Sequence, residues 1–234
     1  MGHIGRYSDV CLHGEEMGKC ENCYEEIKKG KHSDLLIDYS RRERIQKEDR
    51  EKYEREVLKL KVINLFAGPC AGKSVTRASL FSLMKKKGIE CEEATEYAKD
   101  VTWEGNLAKL SDQLYILAKQ NRKLERLKGK VDWVISDSPL LLSLHYTPLH
   151  YFPKTFQSMV LELWDSYDNY NFFVNRTGEY NPNGRNQTKE EALNIDGQIK
   201  AMLANKYIKF SEVDAGPDTE HEIYQLLLTN GAFK

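Results

Sequence analysis

Apolar positions along the chain follow two regimes that change near residue 61. Residues 1–33 hold no helical or strand period. From Arg41 to Lys61, 15 of 21 residues are charged, with both signs interleaved. Acids and bases recur there three or four apart, which suits a solvated connecting helix over residues 34–61. A few apolar residues, Ile45, Tyr53, Val57 and Leu58, could dock it weakly on a core. From Val62 onward, short apolar runs alternate with segments of helical spacing. The predicted strands are Val62 to Phe66, Ile89 to Ala94, Val131 to Ser136, Asn171 to Val174 and Tyr207 to Val213. Between and after them, helices are predicted over Ser74 to Lys87, from a Ser111 cap to near Gly129, and over Thr155 to Tyr167, Lys189 to Asn205 and Asp218 to Leu228. Strands and helices in alternation predict an α/β fold, a parallel sheet covered by helices.

The first strand runs into Ala67-Gly68-Pro69-Cys70-Ala71-Gly72-Lys73-Ser74, and a helix follows at once. Strand, small-residue turn and Lys-Ser at a helix start form a phosphate-binding loop. Ala67 stands where Gly is commoner, a modest change because Gly68 follows. Gly68, Pro69, Cys70, Ala71, Gly72, Lys73, Ser74 and Val75 form the candidate nucleotide cradle; all but Pro69 can offer a backbone N–H, helped by the helix N-terminus. Lys73 would bridge the β- and γ-phosphates of ATP, and the Ser74 hydroxyl would ligate Mg²⁺. The fold class is then the three-layer sandwich of P-loop nucleotide triphosphatases, over residues 62–234.

Phosphoryl transfer also needs a second metal-shell acid, an oriented acceptor and positive charge over the moving group. Asp137 ends the third strand, where it could meet Mg²⁺ or one of its waters; an Asp there can also serve as a turn or cap residue. Glu96 follows the second strand at the carboxyl edge of the sheet, where ligands bind in open α/β folds. It could take the proton of an attacking hydroxyl or hold a ribose-like hydroxyl. The bland alternative is a solvated helix-start Glu. Arg176 and Arg185 flank a Gly-, Asn- and Pro-containing stretch, read as a lid that excludes water or else as a surface hairpin.

Three further segments carry a family resemblance: Glu96-Tyr97-Ala98-Lys99-Asp100, Ser136-Asp137-Ser138-Pro139, and the run from Asn175-Arg176 through Tyr180-Asn181-Pro182 and Gly184-Arg185-Asn186-Gln187 to Ile195-Asp196. They resemble phage-encoded P-loop kinase-like ATPases, a group similar to the nicotinamide-riboside kinase domain of bacterial NAD-salvage proteins. The resemblance implies that Lys73, Ser74 and Asp137 belong to the ATP–Mg²⁺ site, Glu96 to the acceptor side, and Arg176 and Arg185 to the lid. It leaves out the first 60 residues. Because some phage relatives are thought to phosphorylate hydroxymethylated bases in DNA, it also admits a DNA acceptor.

The N-terminal segment has its own chemistry. Cys11, His13, Cys20 and Cys23 give a Cys-x-His-x₆-Cys-x₂-Cys pattern that suits tetrahedral, structural Zn²⁺; the alternative is a tail with incidental cysteines. Over its 234 residues the chain has a net charge of −1, so no global field points to nucleic acid or a membrane. No apolar run approaches the ~20 residues of a membrane span, and the start lacks a signal-peptide core. Five cysteines, an odd number, favour a reducing, cytoplasmic setting, the host cytoplasm for a phage-encoded chain. The expectation is a P-loop phosphotransferase acting on a hydroxyl of a nucleoside- or nucleotide-like acceptor. Its rivals are a kinase for modified bases or ends in DNA, and an ATPase switch with a protein partner.

Overall fold

The computed structural model describes residues 59–147, 153–178 and 188–233, all within the second of the two units into which the chain divides, Val57–Lys234. The proposed zinc ligands Cys11, His13, Cys20 and Cys23, the charged segment up to residue 58, and Arg185 lie outside the described residues. In chain order the described elements are β1 (Lys61–Phe66), α1 (Lys73–Lys86), β2 (Cys91–Ala94), α2 (Tyr97–Trp103), α3 (Leu107–Ser111), α4 (Gln113–Glu125) and β3 (Trp133–Ser136). Then follow α5 (Leu142–Tyr146), α6 (Pro153–Asp165), β4 (Asp168–Asn175), α7 (Lys189–Asn205), β5 (Ser211–Asp214) and α8 (Thr219–Thr229).

The strands form one parallel sheet in the order β2-β3-β1-β4-β5. Strand alternation divides its side chains between two cores. Val62, Phe66, Val134 and Phe173 pack with Leu117 of α4, Val160 and Trp164 of α6, and Ile199 and Leu203 of α7. On the other face Ile63, Leu65, Ile135, Phe172 and Val174 meet Leu80 and Met84 of α1 and Ile223 and Leu227 of α8. The result is the predicted three-layer sandwich. The chain leaves β1 towards β2 on one side and later crosses to β4 on the other. The crevice between the ends of β1 and β3 is therefore a switch point, where open α/β sheets bind ligands. Among the described residues no helix is long and apolar enough to cross a membrane.

Several boundaries differ from the sequence expectation for a common reason. The N–H of Ile89 returns to the Met84 carbonyl at 3.1 Å, so Ile89 closes α1 and β2 starts only at Cys91. Tyr207 and Ile208 close α7 in the same way, through Ala204 and Leu203, and β5 starts at Ser211. The cap of α4 is Asp112, which accepts from the Tyr115 N–H at 3.0 Å. Ser111, the expected cap, instead turns its hydroxyl back to the Ala108 carbonyl.

β4 is longer than its apolar run because three asparagines pair inside the sheet. Asn64, 1% exposed, donates to Asn169 Oδ1 at 2.9 Å and to Asn171 Oδ1 at 3.2 Å. Asn64→Ala would leave both oxygens short of a donor. It is expected to cost about 1–3 kcal/mol, read as a lower urea midpoint at unchanged slope.

Candidate functional site

The loop after β1 is shaped by backbone conformation. Gly72 adopts φ +93° at the start of α1, a left-handed geometry that glycine takes without strain. Cys70 also has positive φ, +64°, at a cost of about 1–2 kcal/mol for a side-chain-bearing residue. Gly72 supplies no side-chain cap, and the first turn of α1 carries no acid. The first N–H groups of the helix are thus left to an anion. The Lys73 ammonium folds over its own loop, donating to the carbonyls of Ala67 at 2.8 Å and Gly68 at 2.7 Å. A phosphate chain entering the loop would compete with those carbonyls for the same charge.

Helix α7 clamps the other side of the loop. The buried Gly68 N–H donates to Asp196 Oδ1 at 2.5 Å. Asp196 Oδ2 accepts from Arg176 Nε at 2.9 Å and Nη2 at 2.7 Å. One carboxylate therefore ties the loop to the end of β4. There is no room for a side chain at Gly68, where a Cβ would lie 2.8 Å from the Ala192 carbonyl oxygen and 2.9 Å from Asp196 Oδ1. Gly68→Ala is expected to destabilise the fold by about 1–3 kcal/mol through overpacking and to weaken triphosphate binding. Thermal unfolding with and without ATP·Mg²⁺ measures both, and an unaltered ATP-induced shift would contradict the second effect.

Asp137 emerges from β3 beside the loop, since the parallel register sets Ser136 against Asn64 of β1. Its side chain is buried on the α1 side. There Arg77, one helical turn beyond Lys73, sits with Nε 3.3 Å from Asp137 Oδ2 and also pairs with Glu93. Asp137 Oδ1 is buried without a hydrogen-bond partner. Asp137 and Ser74 line the same cavity. An unpartnered carboxylate oxygen with a hydroxyl nearby suits a hard cation such as Mg²⁺, which keeps water and phosphate ligands of its own. Among the described residues no group of three or more His, Cys, Asp or Glu side chains could hold a metal ion alone, so zinc has no site there.

That cavity, about 710 Å³, extends from the loop to Glu96 and is walled by Gln113, Ile116 and Gln120 of α4, Leu142 and Tyr146. Glu96 directly precedes α2, but its side chain does not cap the helix. Desolvation at the cavity wall, then the carboxylates of Glu96 and Asp196, raise the Tyr146 hydroxyl, although 42% of the residue stays exposed. It stays neutral and can donate a hydrogen bond at any working pH. A second hollow of about 340 Å³ lies at the β5–α8 turn; its carboxylates, Asp214, Asp218 and Glu222, would repel a phosphate.

Of the residues expected to act, the structure gathers Lys73, Ser74, Asp137 and Glu96 around one cavity. Arg176 sits beside the loop, held by Asp196, and Arg185 lies outside the described residues. Sequence reasoning assigned no role to Asp196, Arg77, Tyr146 or Gln120. Arg77 was within reach, being four residues after Lys73 and hence on the same helix face.

Fold and site together define a P-loop nucleoside-triphosphate-binding domain. The chain belongs to the family described as AAA domain, whose model matches residues 62–220, more than half of its length. Among solved structures it is similar to a NadR protein in complex with NR. The TM-score is 0.58 at 14% identity, covering 86% of this chain and 60% of that one. At that identity the likeness is one of fold, and the chain spans under two thirds of that protein. No curated protein matches the chain.

Proposed function

We propose that the protein is an ATP-dependent kinase that moves the γ-phosphoryl group to a hydroxyl of a nucleoside- or nucleotide-like acceptor. The observation that carries this reading is the single cavity that starts at the phosphate loop and continues past it to Glu96 and α4. Its volume is within the range of small-molecule sites, roughly 300–1,000 Å³, and the part beyond the loop offers an acceptor a place next to the transferring group. The fold of the NadR protein solved with NR supports a nucleoside-like acceptor by analogy.

In this reading the loop amides and Lys73 hold the β- and γ-phosphates, and Lys73 leaves the carbonyls of Ala67 and Gly68 to do so. Mg²⁺ held by Ser74 and Asp137 would neutralise charge on the transferring group. The acceptor oxygen forms a bond to the γ-phosphorus as the bond to the β–γ bridging oxygen breaks, and ADP departs. Glu96 takes the hydroxyl proton. Arg77 holds Asp137 through Oδ2, so Oδ1 would be the oxygen available to the cation. Glu96→Gln is accordingly expected to lower kcat about 10²-fold, and an unchanged kcat would remove Glu96 from the proton transfer.

A second reading, an ATPase with water as the acceptor, is favoured by the family match. Transfer of labelled γ-phosphate, screened against nucleosides, nucleotides and DNA with modified bases, separates the two. The kinase shows little turnover alone and strong stimulation by its acceptor. Rapid acceptor-free hydrolysis that no acceptor stimulates would establish the ATPase instead.

A further inference from the structure

Helix α4 buries Gln113, Ile116, Leu117, Gln120 and Leu124. Two glutamines on a face that should be apolar need a reason. Gln113 has one, since its Nε2 donates to the Leu110 carbonyl at 2.7 Å. Gln120 is only half explained. Its Oε1 accepts from the Tyr97 N–H at 3.1 Å, one of the first-turn donors of α2 that the helix itself cannot satisfy. Its Nε2 is buried and has no hydrogen-bond partner.

The Tyr97 N–H also fixes which way the amide faces, because turning it over would set two donors against each other. A carboxylate at this position would serve the helix N-terminus at least as well. What the amide adds is a donor. Gln120 is 3% exposed and lines the cavity that begins at the phosphate loop.

We infer that Gln120 Nε2 is a recognition point for the phosphoryl acceptor, donating to a carbonyl oxygen on its ring or ring substituent. The acceptor is thereby a nucleoside whose base carries a carbonyl or carboxamide group. The inference rests on the kinase reading of the cavity. The nitrogen is covered by the cavity wall, so the acceptor reaches it with a side-chain adjustment, which is common when ligands bind. Once made, the bond is shielded from water, and an acceptor without the carbonyl leaves the donor buried and unpaired.

The test uses γ-phosphoryl transfer from ATP to two pairs of nucleosides that differ in the carbonyl: inosine against purine riboside, and nicotinamide riboside against pyridine riboside. The wild-type protein is expected to prefer the carbonyl-bearing member of at least one pair by about tenfold or more in kcat/KM. In Gln120→Met that preference falls towards one, through a higher KM for the carbonyl-bearing member. Gln120→Glu retains an acceptor for the Tyr97 N–H but loses the donor; burying its charge lowers the unfolding midpoint, and the protein, still folded at the assay temperature, loses the preference. A role confined to capping α2 predicts the opposite, a wild-type preference in Gln120→Glu. Equal use of both members by the wild-type protein, or a preference retained in Gln120→Glu, overturns the inference and leaves the kinase reading standing. If none of the four nucleosides is phosphorylated, the nucleoside-kinase reading falls and the inference falls with it.

Discussion

Lys73→Ala is expected to lower γ-phosphoryl turnover about 10³-fold or more, whether the acceptor is a nucleoside or water. Electrostatic groups aimed at a transferring phosphoryl contribute on that scale when removed singly. Lys73 stands at the first position of α1, so its charge adds to that of the helix N-terminus at the same point. The loss should fall mainly on kcat, because the uncapped N–H groups of the loop and helix still bind phosphate. Stability should change much less. Lys73 is not among the buried residues, and its ammonium bonds to Ala67 and Gly68 stay within its own loop. Steady-state transfer and thermal unfolding of the same preparation separate the two effects. Turnover within a few-fold of wild type would mean that the loop does not hold a reacting triphosphate.

The contrast between legible and hidden parts of this molecule follows sequence separation. The phosphate loop could be read because strand, turn and helix are contiguous. Helix α7 could be read to its ends because Thr188 and Glu191 form a capping box, each side chain bonded to the other's backbone N–H. Strand ends were less legible. Ile89, Tyr207 and Ile208 look like strand residues by hydrophobicity, but the preceding helices use their N–H groups to close. β4 hid Asp168 to Tyr170 because Asn169 finds its partner on β1, a pairing that no hydrophobic period reports. The five-residue helices α3 and α5 are too short to show a period at all. At the cavity, the places of Asp137 and Glu96 at strand ends are what makes them candidates in the sequence. Gln120 was passed over as one polar residue on an amphipathic helix.

Asp196 ends a resembling motif, but its role is hidden in the sequence for a related reason: the N–H it accepts lies 128 residues earlier in the chain. Its removal carries the largest expected stability effect. With side-chain exposures of 11% and 16%, Arg176 and Asp196 form a nearly buried pair, so solvent screens them little. Asp196→Ala strips Arg176 of its counter-charge and orphans the buried Gly68 N–H in one step. Breaking such a pair from one side costs about 3–5 kcal/mol, and the residual exposure places this case towards the lower figure. Asp196→Asn retains an acceptor for Gly68 and should lose less. The Tyr146 hydroxyl, held up partly by Asp196, should titrate lower in either variant. Because the penalty comes mainly from an unpaired guanidinium, adding Arg176→Met to Asp196→Ala should recover part of the stability. A double variant whose loss equals the sum of the single losses would show that the two residues are not coupled, and the tie between the phosphate loop and β4 would have to be carried by packing alone.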